Sequence, residues 1–465
     1  MSDSTSTAKK VIYASPRLGI NLFMGLIDFA LLYLYEDVYE LRGGLVGTSL
    51  MLGKLSAAIF QCIIPWFSDH TKTKLGRRKP YLYIMAPILT VSFIMLLLPG
   101  LVLGANPPEL QLFGWFATFN VLAQGAYAMT TIYHSWTAEQ FPTKERPKVS
   151  AFQNIFNFMA LAVTSIFSIV VLTSVKDKLQ EDPTKIPQDY LTAILTFAAI
   201  MIGLTYLCTI YMPVEKTPQY TTKFKTELKQ ILNNKNFLLM TFIQGLSSLG
   251  WAMINAVLLS YIDTVMALED LELYLAAVIL FLGLIVSVTF WRKRIESKGK
   301  KRTLLDVFLV GIIAPPFSIL GAFSFARNFI FGVVFIFFIA LMQSGWALFP
   351  YIIYADMAED AKVKDGELKT GLYTGFPALI LNVFQAASLY LTGWLTELPV
   401  VDNGGPAPFT MGYVIWGPIV TVFFMVTLWV IKKYIKLDFD WEKDEDLGVT
   451  IPEEAEDRIP DKSET

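Results

Sequence analysis

The sequence predicts an all-α membrane protein with twelve transmembrane helices and both termini in the cytoplasm. Of the 465 residues, 54% are hydrophobic and only 17% are charged, whereas a soluble domain carries about 25% charged residues. Apolar stretches of the ~20 residues that a helix needs to cross a bilayer recur from residue 17 to residue 433. Lysine and arginine concentrate in every second connecting loop, as the positive-inside rule requires of cytoplasmic loops.

Each predicted span is bounded by polar or charged residues. The alternation of basic and non-basic loops agrees with an even number of spans, because an odd number would scramble it. The twelve predicted spans are 17–41, 45–68, 80–104, 111–138, 150–174, 190–213, 237–264, 271–291, 303–326, 329–355, 367–395 and 409–433.

Three polar segments divide the chain into two six-span halves. We predict a cytoplasmic N-terminal tail at 1–16, a central cytoplasmic loop at 214–236 and an acidic, disordered tail at 436–465. The two six-helix bundles then cover 17–213 and 237–435.

A strongly basic turn joins the second and third spans, and a similar turn joins the eighth and ninth. The first occupies 69–79 and contains Gly76, and the second occupies 292–302 and contains Gly299. Equivalent turns at equivalent places indicate an internal repeat, although any multi-span protein carries basic cytoplasmic loops. Six plus six helices related in this way is the layout of the major facilitator fold.

Motifs in both halves resemble one transporter family. Asp69 followed by GRRKPY at 76–81 resembles the glycoside–pentoside–hexuronide:cation symporters, the melibiose-permease branch of the major facilitators, and looks closest to their sucrose-type relatives. GLVGT at 44–48 and GELKTG at 366–371 are similar to further motifs of that family. The resemblance implies a transporter that moves a sugar or glycoside by alternating access, coupled to a cation.

The charged residues that bind sodium and sugar in melibiose-type members are replaced in this chain. By ungapped counting, the two acids of the second span fall at Ala57 and Gln61, and the acid of the first span falls at Asn21. The arginine of the fifth span falls at Asn157, and the lysine of the eleventh falls near Gln385 or Ala386. We therefore do not expect sodium coupling through the usual acids of the second span.

Two charged residues lie deep within predicted spans, where an ionisable group costs ~2.5–3.5 kcal/mol on insertion scales. Asp28 in the first span and Lys54 in the second both fall near the bilayer midplane at a rise of ~1.5 Å per residue. They are candidates for proton coupling or for a substrate-linked ion pair, and a structural bridge is the alternative. His134, near the inner end of the fourth span, is a further coupling candidate because imidazole titrates near neutral pH, and a packing role is its alternative.

Amide and indole side chains inside the spans are the candidates for contact with an uncharged polyhydroxyl solute. Amides offer both donors and an acceptor, and tryptophan can stack on a sugar ring. Trp136 aligns with a substrate-stacking tryptophan of melibiose-type members. Amides also join helices to each other, so only some of these residues are expected to line a cavity. The candidates are Asn21, Gln61, Trp136, Gln153, Asn157, Gln244, Asn255, Trp346, Asn382 and Gln385.

The basic turn between the second and third spans is the candidate cytoplasmic gate. In the facilitator fold such a turn makes charge-assisted contacts between helix ends that close the cytoplasmic side. The alternative is a charge cluster that only sets topology. The gate candidates are Asp69, Gly76, Arg77, Arg78 and, in the second half, Asp356.

We therefore expect a multi-pass transporter of the cell membrane that moves a small solute, with a sugar or glycoside as the first hypothesis. Proton coupling through Asp28 and uncoupled facilitation both stay open. The alternatives are a facilitator of an amphipathic lipid or other organic solute and, from another class, a non-transporting sensor or scaffold. The sequence contains no P-loop, nucleophile elbow or Cys/His metal cluster, so we expect no enzyme, cofactor or metal. The expected partners are the solute, H⁺ and the lipid bilayer, with no nucleic acid, and we expect a monomer.

Overall fold

A computed structural model describes residues 6–142, 145–214, 232, 235–268, 270–365 and 370–434. In these ranges the chain is built from helices and one small antiparallel ladder in which Val400 pairs with Thr410 and Val401 with Phe409. The predicted tail 436–465 and most of the predicted loop 214–236 lie outside the described residues.

The first half begins with a short helix and continues through the first six predicted spans. Two π-helical stretches, Leu34–Val38 and Phe167–Leu172, extend the second and eighth helices. The α-helices are α1 (Thr7–Ala14), α2 (Pro16–Tyr33), α3 (Gly43–His70), α4 (Lys79–Leu97), α5 (Gly100–Leu103), α6 (Glu109–Ala126), α7 (Met129–Gln140), α8 (Arg146–Ile166), α9 (Lys176–Glu181) and α10 (Gln188–Tyr211).

The second half contains the remaining six predicted spans. One π-helical stretch (Tyr261–Val265) and two 3₁₀ stretches (Pro315–Ala322 and Ser324–Arg327) extend its helices. The α-helices are α11 (Lys235–Ser260), α12 (Asp270–Lys298), α13 (Lys300–Ile313), α14 (Phe329–Asp365), α15 (Thr370–Leu395) and α16 (Gly412–Tyr434), and the strands are β1 (Val400–Val401) and β2 (Phe409–Thr410).

Eleven helices of the described chain are long and apolar enough to cross a membrane. They correspond to all the predicted spans except the fourth, 111–138. That segment is helical but is divided into α6 and α7 by a turn at Tyr127 and Ala128, so each piece is shorter than the ~20 residues of a typical span.

Two unusual backbone conformations occur at equivalent positions in both halves. The π-helix at the end of α2 is followed by Glu40 with a positive φ of 54°, and the π-helix at the end of α11 is followed by Ala267 with a φ of 48°. The two basic turns also match, since Gly76 and Gly299 have φ values of 87° and 80°. Such φ values favour glycine, which explains why each turn contains one.

The predicted N-terminal tail contains α1, which packs against the cytoplasmic end of the first half. The Ser6 side chain caps the helix by accepting a hydrogen bond from the Lys9 amide at 3.2 Å. Two reciprocal hydrogen bonds join Tyr13 and Tyr133, since each hydroxyl donates to the backbone carbonyl oxygen of the other residue. Their rings stack with 4.9 Å between the centroids. Lys10 forms an ion pair with Glu145 at 3.4 Å. The segment is therefore part of the folded bundle.

Glycines permit the closest helix crossings. A Cβ added to Gly47 would lie 2.8 Å from the Cα of Gly393, so the backbones of α3 and α15 approach directly. This crossing is the most extensive contact between the halves, and α2 with α11 and α8 with α12 also pack across the interface. Within the first half, α2 crosses α10 at Gly19, where an added Cβ would overlap the Cα of Met201.

Replacing Gly19 by alanine is expected to lower the thermal stability of the protein. The new methyl group must push α2 away from α10, and overpacking of this kind costs about 1–3 kcal/mol. The gain in helix propensity, about 1 kcal/mol, offsets only part of that cost. The unfolding midpoint of the purified protein in detergent measures the effect.

Gly203→Ala is the matched control, because it lies on α10 with open space around an added Cβ. It should unfold at the wild-type temperature or above it. If Gly19→Ala were as stable as Gly203→Ala, the proposed close crossing of α2 and α10 would be wrong.

Candidate functional site

The basic turn folds back on the end of α3 and on α7. Arg78 Nη2 lies 2.6 Å from Asp69 Oδ1 and 2.9 Å from Glu139 Oε1, and Arg77 Nη2 lies 2.6 Å from the same Glu139 oxygen. Ser68 Oγ donates to the carbonyl oxygen of Arg77 at 3.0 Å. Both arginine side chains are almost wholly buried, with 1% and 3% of their surface exposed.

The contacts given above for the gate candidates lie within one half of the protein. Asp69, Arg77, Arg78 and Glu139 all belong to the first half, so these contacts brace one bundle. The side chain of Asp356, the candidate from the second half, lies outside the described residues. Closure of the cytoplasmic side by this turn stays a prediction.

Asp28 and Lys54 form an ion pair between α2 and α3. Lys54 Nζ donates to Asp28 Oδ1 at 2.7 Å, and the lysine side chain is 6% exposed while that of Asp28 is 36% exposed. The pair borders a cavity of about 10 Å³, room for roughly one water molecule. Its walls come from both halves: Ile27, Asp28, Leu32, Leu50, Lys54 and Gln124 from the first, and Ala256 and Leu389 from the second.

His134 contacts Arg17, which is not among the candidates predicted from the sequence. Arg17 Nη1 lies 3.2 Å from His134 Nε2. Because a guanidinium has only donors and does not lose its proton in proteins, Nε2 must accept this bond. The ring is therefore neutral and carries its proton on Nδ1, which differs from the freely titrating imidazole that a coupling role would need.

The amide and indole candidates divide into two groups. Asn255 Oδ1 accepts from Gln343 Nε2 at 2.7 Å, and one turn away Trp251 stacks on Trp346 with 6.1 Å between ring centroids. These four side chains form a polar and aromatic cluster between α11 and α14.

Other candidates are used for packing. Gln153 donates to the Tyr133 hydroxyl at 3.0 Å, and Asn382 donates to the carbonyl oxygen of Ala378 in its own helix at 2.8 Å. Trp136 is fully buried beside Tyr13. Gln61 is buried, whereas Asn21, Asn157, Gln244 and Gln385 are half-buried.

Two carboxylates join the halves on the side opposite the basic turns. Asp37, in the π-helix after α2, accepts hydrogen bonds from Ser260 Oγ at 2.6 Å and from the Tyr413 hydroxyl at 2.9 Å. Both donors belong to the second half. The contact therefore joins the outer end of α2 and its π-helix to α11 and α16.

The reciprocal contact uses an acid of the second half. Asp263, in the π-helix after α11, accepts from the Tyr33 hydroxyl at 3.0 Å and forms an ion pair with Lys176 at 3.0 Å. Burial acts to lower the pKa of Lys176, but the carboxylates of Asp263 and Asp37 outweigh it and raise that pKa above 10.5. The amine therefore stays charged at physiological pH. We call these six residues the outer closure: Tyr33, Asp37, Lys176, Ser260, Asp263 and Tyr413.

The outer closure defines the conformation. Together with the hydrogen bond from the Gly44 amide to Glu397 Oε1 at 2.8 Å, it ties the two halves to each other by directional polar contacts at one end of the bundle. The basic turns mark the opposite end as cytoplasmic. The structure is thus closed toward the outside.

The outer closure does not stand out in the sequence, because its donors and acceptors lie far apart in the chain. One signal could have found it. Asp37 and Asp263 lie at the outer ends of the first and seventh spans, which are equivalent positions in the repeat.

Replacing Arg77 by glutamine is expected to destabilise the first half. The change leaves two carboxylates facing one remaining arginine, and breaking a buried ion pair costs ~3–5 kcal/mol. Thermal unfolding of the purified protein measures this. Arg302→Gln is the control, because Arg302 is 70% exposed and lies 3.9 Å from Asp306. Equal unfolding temperatures for the two variants would contradict a bracing role for Arg77.

Replacing Asp263 by asparagine is expected to open the outside. The change removes the ion-pair partner of Lys176 and leaves its partly buried ammonium with only the Asp37 carboxylate to compensate it. Spin labels at Gln188 and Val400, exposed positions in opposite halves, should then show a larger population at long distances in double electron–electron resonance. Cys62 and Cys208 are replaced by alanine beforehand.

The control for this change is Asp182→Asn. Asp182 pairs with Lys185 inside one exposed loop of the first half, so its loss should leave the distance distribution unchanged. An unchanged distribution for Asp263→Asn as well would show that the pair does not hold the halves together.

Sequence comparison identifies a family for most of the chain. Residues 12–406 match the family described as MFS/sugar transport protein. The Uncharacterized symporter YjmB of Bacillus subtilis (strain 168) is 24% identical over 319 residues, which cover 66% of each chain. The Isoprimeverose transporter of Lactiplantibacillus pentosus is 23% identical over 314 residues, which cover 66% of this chain and 63% of the relative. The chain thus spans just under two thirds of the length of these relatives.

Solved structures show the same fold. The xylose transporter XylE from E. coli in an inward open conformation superposes with a TM-score of 0.64 at 13% identity, covering 95% of this chain and 99% of XylE. The nucleoside transporter NupG superposes with a TM-score of 0.61 at 13% identity, covering 92% of this chain and 100% of NupG. At these identities the likeness concerns the fold alone. The predicted major facilitator fold is confirmed, and the chain belongs to the MFS/sugar transport protein family.

Proposed function

We propose that this protein is a secondary transporter that moves a small polar solute, a sugar or glycoside, across the membrane by alternating access. The observation that carries the proposal is the position of the Asp28–Lys54 pair, which borders a cavity walled by both halves. Because the walls of this cavity come from both halves, any movement of one half against the other changes the surroundings of the charge pair. The central site of a major facilitator lies at the same kind of interface.

The pair can link proton binding to a conformational change. A proton on Asp28 would remove the charge that compensates Lys54, and an uncompensated ammonium in a low-dielectric interior is costly. Lys54 would then have to find another partner or reach water. Protonation therefore favours a different arrangement of α2 and α3, and α3 makes the main contact with the second half through α15.

The same geometry argues against sodium at the usual place. Ala57 and Gln61, which stand where melibiose-type members carry acids, are both buried and uncharged. Lys54 already supplies a positive charge 2.7 Å from the Asp28 carboxylate. A second cation at that carboxylate would be repelled by the ammonium group.

The sugar assignment rests on the family and its members. One relative is named an isoprimeverose transporter and one structural neighbour a D-xylose-proton symporter. The cluster of Trp251, Asn255, Gln343 and Trp346 offers aromatic faces and amides, which suit a polyhydroxyl solute.

Uptake into proteoliposomes tests the proposal. Labelled isoprimeverose, xylose and sucrose are offered with and without an inwardly directed proton gradient. Wild-type protein should accumulate at least one of them, and the gradient should increase the accumulation. Absence of uptake and of exchange for every sugar would contradict the sugar assignment.

Asp28→Asn is expected to abolish gradient-driven accumulation while leaving exchange of labelled for unlabelled solute. Exchange needs the rocking of the halves but no net proton movement. The double change Asp28→Asn with Lys54→Gln removes both charges, so it tests coupling without leaving an unpaired ammonium. Glu109→Gln, which breaks an exposed pair with Arg42, is the control and should accumulate normally. Full accumulation by the double variant would exclude the pair from coupling.

A further inference from the structure

Among the described residues, no carboxylate pairs with the buried guanidinium of Arg17. Three arginines of the described chain are buried, namely Arg17, Arg77 and Arg78. The other two share Asp69 and Glu139, whereas the polar contact of Arg17 is with the neutral ring of His134. Its Nε atom is buried and has no hydrogen-bond partner in the described part of the chain. A buried cation without a counter-charge is costly and calls for an explanation.

The neighbouring polar groups are donors as well. His134 accepts from Arg17 through Nε2, so its Nδ1 carries a proton, and the side chain is exposed. Asn21 lies one helical turn beyond Arg17 on the same face of α2, and its side-chain nitrogen is buried without a partner. Arg17 Nε and the Asn21 amide nitrogen are thus two buried donors on one face of α2 that lack an acceptor from the described protein, and His134 lies in contact with this arginine.

We propose that Arg17, His134 and Asn21 form a binding site for the anionic group of a solute, a carboxylate or a phosphate. An oxyanion supplies both missing elements, because it is negatively charged and only accepts hydrogen bonds. The planar guanidinium matches the geometry of two carboxylate or phosphate oxygens. The inference rests on the proposed function, since it assigns a subsite to the transported solute.

The position of the site fits a solute that enters from the cytoplasmic side. Arg17 begins α2 near the cytoplasm, and Asp28 lies eleven residues further along the same helix, roughly 16 Å away. His134 lies near the inner end of the fourth span on α7. A solute whose anionic end binds at Arg17 would direct its other end toward the Asp28–Lys54 pair.

Compounds that share one sugar ring and differ in charge test the site. Binding of glucose, glucuronate and glucose 6-phosphate to the full chain in nanodiscs is measured by isothermal titration calorimetry. Wild-type protein should bind one or both anions more tightly than glucose. Arg17→Gln should weaken binding of that anion by about ten- to a hundredfold, as expected for charge-assisted hydrogen bonds, and should leave glucose binding unchanged.

Two further variants keep the test decisive. Arg17→Lys retains the charge but loses the planar fork, so it should fold and should bind the anion with an affinity between those of wild type and Arg17→Gln. Arg42→Gln removes an exposed arginine on the other side of the protein and should bind as wild type does. Equal loss of glucose and anion binding in Arg17→Gln would assign Arg17 a structural role and overturn the site.

The outcomes separate this inference from the proposed function. Glucose binding with no preference for either anion would overturn the anion site and leave sugar transport intact. Binding of inorganic phosphate or acetate that depends on Arg17, without binding of any sugar, would support the anion site and contradict the sugar assignment.

Discussion

Buried charges need partners in a low-dielectric interior, and this constraint explains most of the polar architecture of the protein. Arg77 and Arg78 are enclosed at the end of α3 because Asp69 and Glu139 compensate them. Lys54 can remain buried within a candidate membrane span because Asp28 lies beside it. At Arg17 the described protein supplies no carboxylate, and the same constraint favours an anionic group of a bound solute.

The interface between the halves combines two kinds of contact. Backbone-to-backbone packing at Gly47 and Gly393 brings α3 against α15 with little room for adjustment. The outer closure adds directional hydrogen bonds, and each half supplies one carboxylate to donors of the other. Packing sets how near the helices come, while the crossed carboxylates favour the arrangement that is closed toward the outside.

Much of the fold could be predicted from the sequence, because span length, hydropathy and loop charge are local properties. The fourth span is an instructive difference, since its two helices meet at Tyr127 and Ala128 inside an apolar run. The candidate site was predicted less completely. Asp28 and Lys54 stood out as charges within spans, but the partners of Asp37 lie 223 and 376 residues away, and no local pattern reveals them.

The π-helices that end α2 and α11 have a mechanical consequence. A π-turn holds one more residue than an α-turn, so the chain beyond it is rotated relative to a continuous α-helix. Since an α-helix turns ~100° per residue, conversion of either stretch to α geometry would swing its carboxylate around the helix axis and away from its partners. A change of one residue in helical register near the outer surface would therefore break the contacts of the outer closure. The rest of each helix could keep its packing while the two halves separate at this end.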